Sequence, residues 1–116
     1  MSRSRLDQLE HDGIIRILAQ RFRRLGYHVE ADLPGYPAPR PIFGQVPHLV
    51  ATNGHCIVFE VETGRTIGTF RAFQRFKAFS FAQGMTFHAA VPKEFLAPAQ
   101  CIAAAWNALP VKWWVV

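Results

Sequence analysis

The first part of the chain repeats apolar residues at the spacing of an α-helix. From residue 4 to residue 25, leucines and isoleucines recur three or four positions apart, and Gly26 follows as a residue that can end a helix. The predicted core-facing stripe consists of Leu6, Leu9, Gly13, Ile14, Ile17, Leu18 and Leu25. Glu10 falls inside this stripe, where a carboxylate is out of pattern.

Shorter segments with the pattern of β-strands follow the helix. Residues 27–30 alternate and predict a first strand, whereas residues 34–47 contain five prolines and two glycines and predict an irregular excursion at the sheet edge. Residues 47–52 and 55–63 predict two further strands. They are joined by Asn53-Gly54, a dipeptide that strongly favours a hairpin.

The second half of the chain alternates between helical and strand patterns. The predicted elements are a helix over residues 66–83, a strand over 85–91, an alanine-rich helix over 93–109 and a last strand over 111–116. The order is therefore αβββαβαβ. It predicts a single domain over residues 1–116 of the α/β (α+β) class, with a mixed sheet flanked by helices.

Composition narrows the class of protein. Half of the 116 residues are hydrophobic and 18% are charged, which excludes a disordered chain. No apolar run approaches the ~20 residues that span a bilayer, and no signal-peptide pattern is visible, so we expect no membrane association. Two cysteines, Cys56 and Cys101, do not form a disulfide framework, and a cytoplasmic location is expected.

The charge of the chain favours a polyanionic partner. The net charge is +5, and ten of the thirteen basic residues are arginines, whose planar guanidinium binds phosphate through paired hydrogen bonds. Arg5, Arg16 and Arg23 fall on one face of the first predicted helix, opposite its apolar stripe. We predict that these three residues bind nucleic acid.

Two glutamates on the third predicted strand are candidates for chemistry. Glu60 and Glu62 are two positions apart, so their side chains share one face of the strand. Paired carboxylates repel and need a cation, a proton or an arginine between them, and a divalent metal ion meets this need economically. The alternative is that the pair forms the solvent-facing half of an ordinary amphipathic strand.

This layout resembles the PD-(D/E)xK nuclease superfamily, with the restriction-endonuclease-like fold, and most of all its small Holliday-junction-resolvase-like members. In that family a helix bearing Glu precedes a β-meander, the second strand opens with Pro-Asp, and the third carries Glu-x-Lys. The following helix often presents an inward Gln. The corresponding positions here hold Glu10, Pro47-His48, Glu60-Val61-Glu62 and Gln74.

The resemblance implies a metal-dependent DNA endonuclease. Mg²⁺ or Mn²⁺ would be held by His48, Glu60 and the carbonyl of Val61, and Glu62 would orient water or bind a second ion. Glu10 and Gln74 would support the site from the helices, bordering the point where the ligands converge. Lys77 would replace the missing strand lysine. For Gln74 and Lys77 the structural alternatives are a backbone hydrogen bond and a side chain that extends into solvent.

Two departures from the family pattern leave a second function open. Glu62 stands in place of Lys, which some active members tolerate. His48 stands in place of the metal-binding Asp, and imidazole is a poor ligand for Mg²⁺ although it suits Mn²⁺, Fe²⁺, Ni²⁺ or Zn²⁺. The alternative function is therefore a catalytically inactive relative without metal, acting as a nucleic-acid-binding or protein-interaction module.

The expected partners are duplex or branched DNA and a second copy of the chain. The resemblance implies a homodimer. Phe76 and Phe79 fall outside the predicted inward stripe of the second helix, which suggests that they form an exposed contact surface. The inward stripe is predicted to contain Ile67, Phe70, Phe73, Gln74, Ala78 and Phe81. The last strand also leaves an apolar sheet edge that a second copy would cover.

Overall fold

A five-stranded sheet with helices on both faces organises the protein. The structure is a computed structural model that describes residues 5–116. Its elements are α1 (Arg5–Arg24), β1 (His28–Ala31), β2 (Leu49–Thr52), β3 (Cys56–Val61), α2 (Phe70–Ser80), β4 (Met85–Val91), a 3-10 turn (Lys93–Phe95), α3 (Leu96–Ala105) and β5 (Lys112–Val115). The predicted helix start at residue 4 lies outside the described residues.

The strand order in the sheet is β1-β2-β3-β4-β5. The first three strands form an antiparallel meander, whereas β4 and β5 join it in parallel after the crossovers through α2 and α3. The hairpin register pairs Thr52 with Cys56 across the Asn53-Gly54 turn. These observations confirm the predicted α+β class, the mixed sheet and the order of the elements.

Each face of the sheet covers a separate hydrophobic cluster. On β3, Ile57, Phe59 and Val61 face α1, whereas Val58 packs with Phe76 of α2. This division follows from the two-residue period of a strand. It assigns Glu60, which alternates with Phe59 and Val61, to the side of the sheet that α2 covers. None of the helices in the described chain has the length and apolarity needed to cross a bilayer.

The predicted core-facing stripe of α1 is partly wrong. Ile14 and Leu18 are buried, but Leu6, Leu9 and Ile17 are 80%, 60% and 54% exposed. The buried face is rotated, and its members are Asp7, His11, Ile14, Ile15, Leu18, Ala19 and Phe22. Apolar periodicity alone misassigned the face because two of the buried positions are polar and their partners lie elsewhere in the fold.

The face of α2 also differs from the prediction. The helix begins at Phe70 after the N-cap Thr69, and Ala72, Phe76 and Phe79 are its buried residues. The predicted outward position of Phe76 and Phe79 is therefore wrong. Both rings pack against Phe87 of β4, with centroids 5.2 and 5.9 Å away. The phenylalanines of this segment form two competing helical stripes, and contact with β4 selects the second one.

Candidate functional site

A buried group of polar side chains lies where β2 begins and β3 ends. Glu60 is fully buried, and Glu62, His11 and His48 are only 3%, 3% and 7% exposed. We define the polar cluster as Asp7, His11, His48, Glu60, Glu62, Thr63 and Arg75. The helices α1 and α2, the hairpin and the segment after β3 all contribute to it. Glu60 and Glu62 are therefore not the solvent-facing half of an amphipathic strand.

The hairpin register brings His48 to Glu60. Leu49 pairs with Phe59, so the residue before Leu49 lies beside the residue after Phe59. Nδ1 of His48 is 3.0 Å from Oε1 of Glu60. Glu62 follows on the same side, and its backbone N–H donates to the carbonyl of Ala90 at 3.0 Å. The predicted proximity of His48 and Glu60 is thus present in the structure.

Both ring nitrogens of His48 face protein groups. The backbone N–H of Val61 donates to Nδ1 at 3.0 Å. Nε2 is 2.9 Å from Nη1 of Arg75 and 3.1 Å from Nε2 of His11. A neutral imidazole has a single nitrogen lone pair, and both Val61 N–H and the Arg75 guanidinium act only as donors. Only one of these two contacts can therefore be a hydrogen bond to the ring, and it uses the single lone pair that a metal ion would need.

Arg75 supplies the positive charge of the polar cluster. Its side chain is 11% exposed, and Nη1 is 3.5 Å from Oε2 of Glu60. Sequence reasoning chose the preceding residue, Gln74, which is exposed and lies outside the cluster. The sequence contains one indication of this role, because the adjacent carboxylates of Glu60 and Glu62 require a cation, a proton or an arginine between them. Which residue of α2 supplies the charge depends on the face that this helix turns towards the sheet.

The two glutamates hold protons well above the usual pH range of a carboxyl group. Burial raises the pKa of Glu60 to about 7, against the opposing effect of Arg75. Burial and the nearby charge of Glu60 raise the pKa of Glu62 to about 8. The two carboxyl groups are hydrogen-bonded to each other, an arrangement that requires a proton between them. Near neutral pH the pair therefore shares a proton.

Glu10 and Gln74, the helical residues predicted to support the site, do not reach the polar cluster, whereas Asp7 and Arg75 do. Glu10 is exposed and lines a surface cavity of about 570 Å³ together with Arg5 and Arg65. Asp7, one helical turn earlier, reaches inward instead and accepts a hydrogen bond from Oγ1 of Thr63. The apolar periodicity of α1 predicts that Asp7 faces outward, so the sequence pattern does not reveal its contact with Thr63.

Lys77 also lies away from the polar cluster. Its Nζ donates to the backbone carbonyl of Trp106 at 3.1 Å and lies 5.3 Å from the ring centre of Phe81. The predicted replacement of a strand lysine by Lys77 is therefore wrong, because this side chain extends towards the C-terminal end of α3.

The predicted metal ligands do not fit a divalent ion in their present arrangement. Within residues 5–116 no group of three His, Cys, Asp or Glu side chains is placed to hold a metal. His48 is engaged by Val61 and Arg75. Oε1 of Glu60 lies 3.0 Å from Nδ1 of His48, although it accepts no well-aligned hydrogen bond in the described part of the chain.

Charge is unevenly divided between the interior and the surface. Four of the eight acidic residues, Asp7, Glu30, Glu60 and Glu62, are buried. In contrast, among the lysines and arginines of residues 5–116 only Arg75 enters the polar cluster, with its side chain 11% exposed. The surface is therefore more basic than the net charge of +5 indicates.

The predicted nucleic-acid-binding arginines lie on this basic surface. Arg5, Arg16 and Arg23 are all exposed on α1, together with Arg21 and Arg24. The guanidinium of Arg23 stacks 3.9 Å from the ring centre of Tyr36, which restricts its motion.

Comparison with protein-family models, curated proteins and solved structures found no match to this chain. The resemblance to PD-(D/E)xK nucleases therefore remains a prediction based on the pattern of the sequence.

Proposed function

We propose that this protein is a DNA-binding module that resembles PD-(D/E)xK nucleases and does not cleave its ligand. The observation that carries the proposal is the division of charge, with half of the acidic residues buried and the described basic residues other than Arg75 outside the polar cluster. A surface of this kind attracts polyanions, because each arginine that neutralises a phosphate releases a condensed counterion.

The outer side of α1 is the best candidate for the DNA contact. Five arginines are exposed along this helix. Arg5, Arg16 and Arg23 share one side, whereas Arg24 lies farther round and Arg21 packs over the ring of Trp114 at 5.2 Å. The distance from Arg5 to Arg23 along the helix axis is about 27 Å at the usual rise per residue. That length matches about eight base pairs of duplex DNA. The helix can therefore follow several successive phosphates.

The polar cluster favours binding over cleavage. Glu60, Glu62 and His48 are almost fully buried, so a phosphodiester has no direct approach to them. Arg75 already lies against Glu60 and His48, the two residues that were expected to supply metal ligands. A metal-dependent hydrolase needs an open coordination position for water or substrate. This arrangement provides none.

DNA binding is tested by fluorescence anisotropy with a labelled duplex and a labelled four-way junction. We expect Arg16→Gln with Arg23→Gln to weaken binding and to reduce the slope of log K against log salt by about 2, roughly one unit per lost phosphate contact. Lys93→Gln, an exposed basic residue on the 3-10 turn, is the matched control. Absence of DNA binding at ~50 mM salt, where such electrostatic binding is strong, would overturn the proposal.

A metal-dependent DNA endonuclease is the second candidate. The hydrogen-bonded Glu60–Glu62 pair favours it, since two adjacent carboxyl groups are a preferred environment for a hard cation. Incubation of supercoiled plasmid with the protein and Mg²⁺ or Mn²⁺ tests this function, with Glu60→Gln as the control. Cleavage by the wild-type protein that Glu60→Gln abolishes would replace the binding-module proposal.

A homodimer in the cytoplasm completes the proposal. The prediction of a contact through Phe76 and Phe79 fails because both are in the core, but the open edge of β5 remains, with Val115 45% exposed. Cys56 and Cys101 are free thiols, which is compatible with a reducing compartment. Light scattering at micromolar concentration tests the dimer, and a monomer of 13.1 kDa would contradict it.

A further inference from the structure

Arg75 contacts the same two groups that a metal ion would require in the polar cluster. Its Nη1 lies 2.9 Å from Nε2 of His48 and 3.5 Å from Oε2 of Glu60. We propose that the Arg75 guanidinium takes the position of a divalent cation, and that its replacement by a neutral side chain opens a metal-binding site formed by Glu60, Glu62 and His48. This inference concerns the chemistry of the cluster and does not depend on DNA binding.

The contacts of Arg75 differ from those of a strong buried ion pair. Such pairs usually join two guanidinium nitrogens to two carboxylate oxygens in a fork. Here a single nitrogen, Nη1, reaches both Glu60 and His48, while Nε has no hydrogen-bond partner in the described part of the chain. Oε1 of Glu60 is also without a hydrogen bond in residues 5–116. The main contribution of Arg75 at this position is therefore its positive charge, since its hydrogen bonds to the cluster are incomplete.

The Glu30–Arg40 pair of the same protein provides the contrast. Nη2 and Nε of Arg40 donate to Oε2 and Oε1 of Glu30 at 2.7 and 3.3 Å, and the backbone N–H of Arg40 adds a third bond at 3.2 Å. That pair satisfies both carboxylate oxygens. The Glu60–Arg75 contact involves only Oε2 of Glu60, because Oε1 faces Nδ1 of His48 at 3.0 Å. The two atoms that Arg75 contacts, Oε2 of Glu60 and Nε2 of His48, together with Glu62 constitute the donor set for an incoming cation.

The geometry also explains which substitution opens the site. Removal of the guanidinium releases Oε2 of Glu60 and Nε2 of His48 at the same time. Nε2 carries the ring's lone pair when the proton is on Nδ1, which faces Oε1 of Glu60 at 3.0 Å. The shorter, neutral side chain of glutamine leaves space between these two atoms and no competing positive charge. Lysine at the same position keeps the charge, so Arg75→Lys is the control that separates charge from side-chain shape.

The experiment measures binding of Mn²⁺ alone to the full chain by isothermal titration calorimetry and by electron paramagnetic resonance of the free ion. We expect Arg75→Gln to bind one Mn²⁺ at least about tenfold more tightly than the wild type and Arg75→Lys, a difference of about 1.4 kcal/mol. Added Glu60→Gln should abolish this binding. Lys93→Gln, which changes an exposed basic residue on the 3-10 turn outside the polar cluster, should behave as the wild type.

Two outcomes would overturn the inference. The first is Mn²⁺ binding by the wild type that is as tight as binding by Arg75→Gln, because a cation would then fit beside the guanidinium. The second is a folded Arg75→Gln protein, verified by circular dichroism, that binds no Mn²⁺ either alone or combined with His48→Asp. DNA binding is measured separately with chelator present, so failure of the proposed function and failure of this inference are distinguishable.

Discussion

The raised pKa values of Glu60 and Glu62 predict that stability decreases as the pH rises above neutrality. In the unfolded chain both carboxyl groups titrate near 4.5, whereas in the folded protein they titrate at about 7 and 8. Between these values the folded state holds more protons than the unfolded state, so the free energy of unfolding falls with increasing pH. Each group contributes at most about 1.4 kcal/mol per pH unit.

The window from pH 6.5 to pH 9 isolates this effect. Burial lowers the pKa of His88 from 6.5 to about 4, so His88 destabilises the fold below about pH 7.5, and only about 0.4 kcal/mol of this effect, with the opposite sign, falls inside the window. Arg40 lowers the pKa of Glu30 below 4.5, which confines its effect to still lower pH. The loss expected from Glu60 and Glu62 across the window is roughly 3 kcal/mol.

Urea denaturation followed by tryptophan fluorescence at intervals across this window provides the measurement. Glu62→Gln keeps a hydrogen-bond donor towards Glu60 and removes the second charge, so it should remove roughly 2 kcal/mol of the stability loss between pH 6.5 and pH 9. Glu94→Gln, which alters an exposed glutamate, should leave the profile unchanged. A wild-type protein equally stable at pH 6.5 and pH 9 would refute the reasoning.

Three substitutions and one control on the exposed side of α2 test the packing described above through their effect on urea unfolding. Phe76→Ala should cost about 3–5 kcal/mol because the ring is fully buried against Phe87 and two tryptophans, whereas Gln74→Ala on the exposed side should change stability by less than about 0.5 kcal/mol. Thr69→Ala should cost about 1 kcal/mol, since its hydroxyl accepts the N–H of Ala72 at 3.2 Å; an unchanged stability would argue against this N-cap. Gly64→Ala should destabilise the fold because an added Cβ meets the ring of Phe95, and a stable variant would contradict that close contact.

The elements of this protein are largely predictable because local rules govern them. The Asn53-Gly54 turn sets the hairpin register, and a strand period of two then places His48 beside Glu60. Nothing in those steps requires knowledge of distant contacts. The element order and the mixed sheet follow in the same way from turn signals and crossover lengths.

The helix faces were harder to predict because they depend on tertiary partners. Asp7 points inward to Thr63, a residue 56 positions away. Arg75 points inward to Glu60 and His48, and no periodicity of apolar residues marks it as internal. The predicted start of α2 at residue 66 is also wrong. Oγ1 of Thr66 accepts the backbone N–H of Thr63, and the helix begins one turn later, at Phe70 after the N-cap Thr69.

The sequential order of the strands has a consequence for biosynthesis. Every strand pairs with the strand that precedes it along the chain, so the sheet can grow from one edge as the chain leaves the ribosome, without reopening a finished pair. The three strands of the meander leave the ribosome before α2, and Glu60 lies on the strand at the edge where the sheet is extended. The next helix to emerge carries Arg75, which reaches the glutamate as α2 covers it. The charge that would oppose burial is thus neutralised by the same segment that excludes the water.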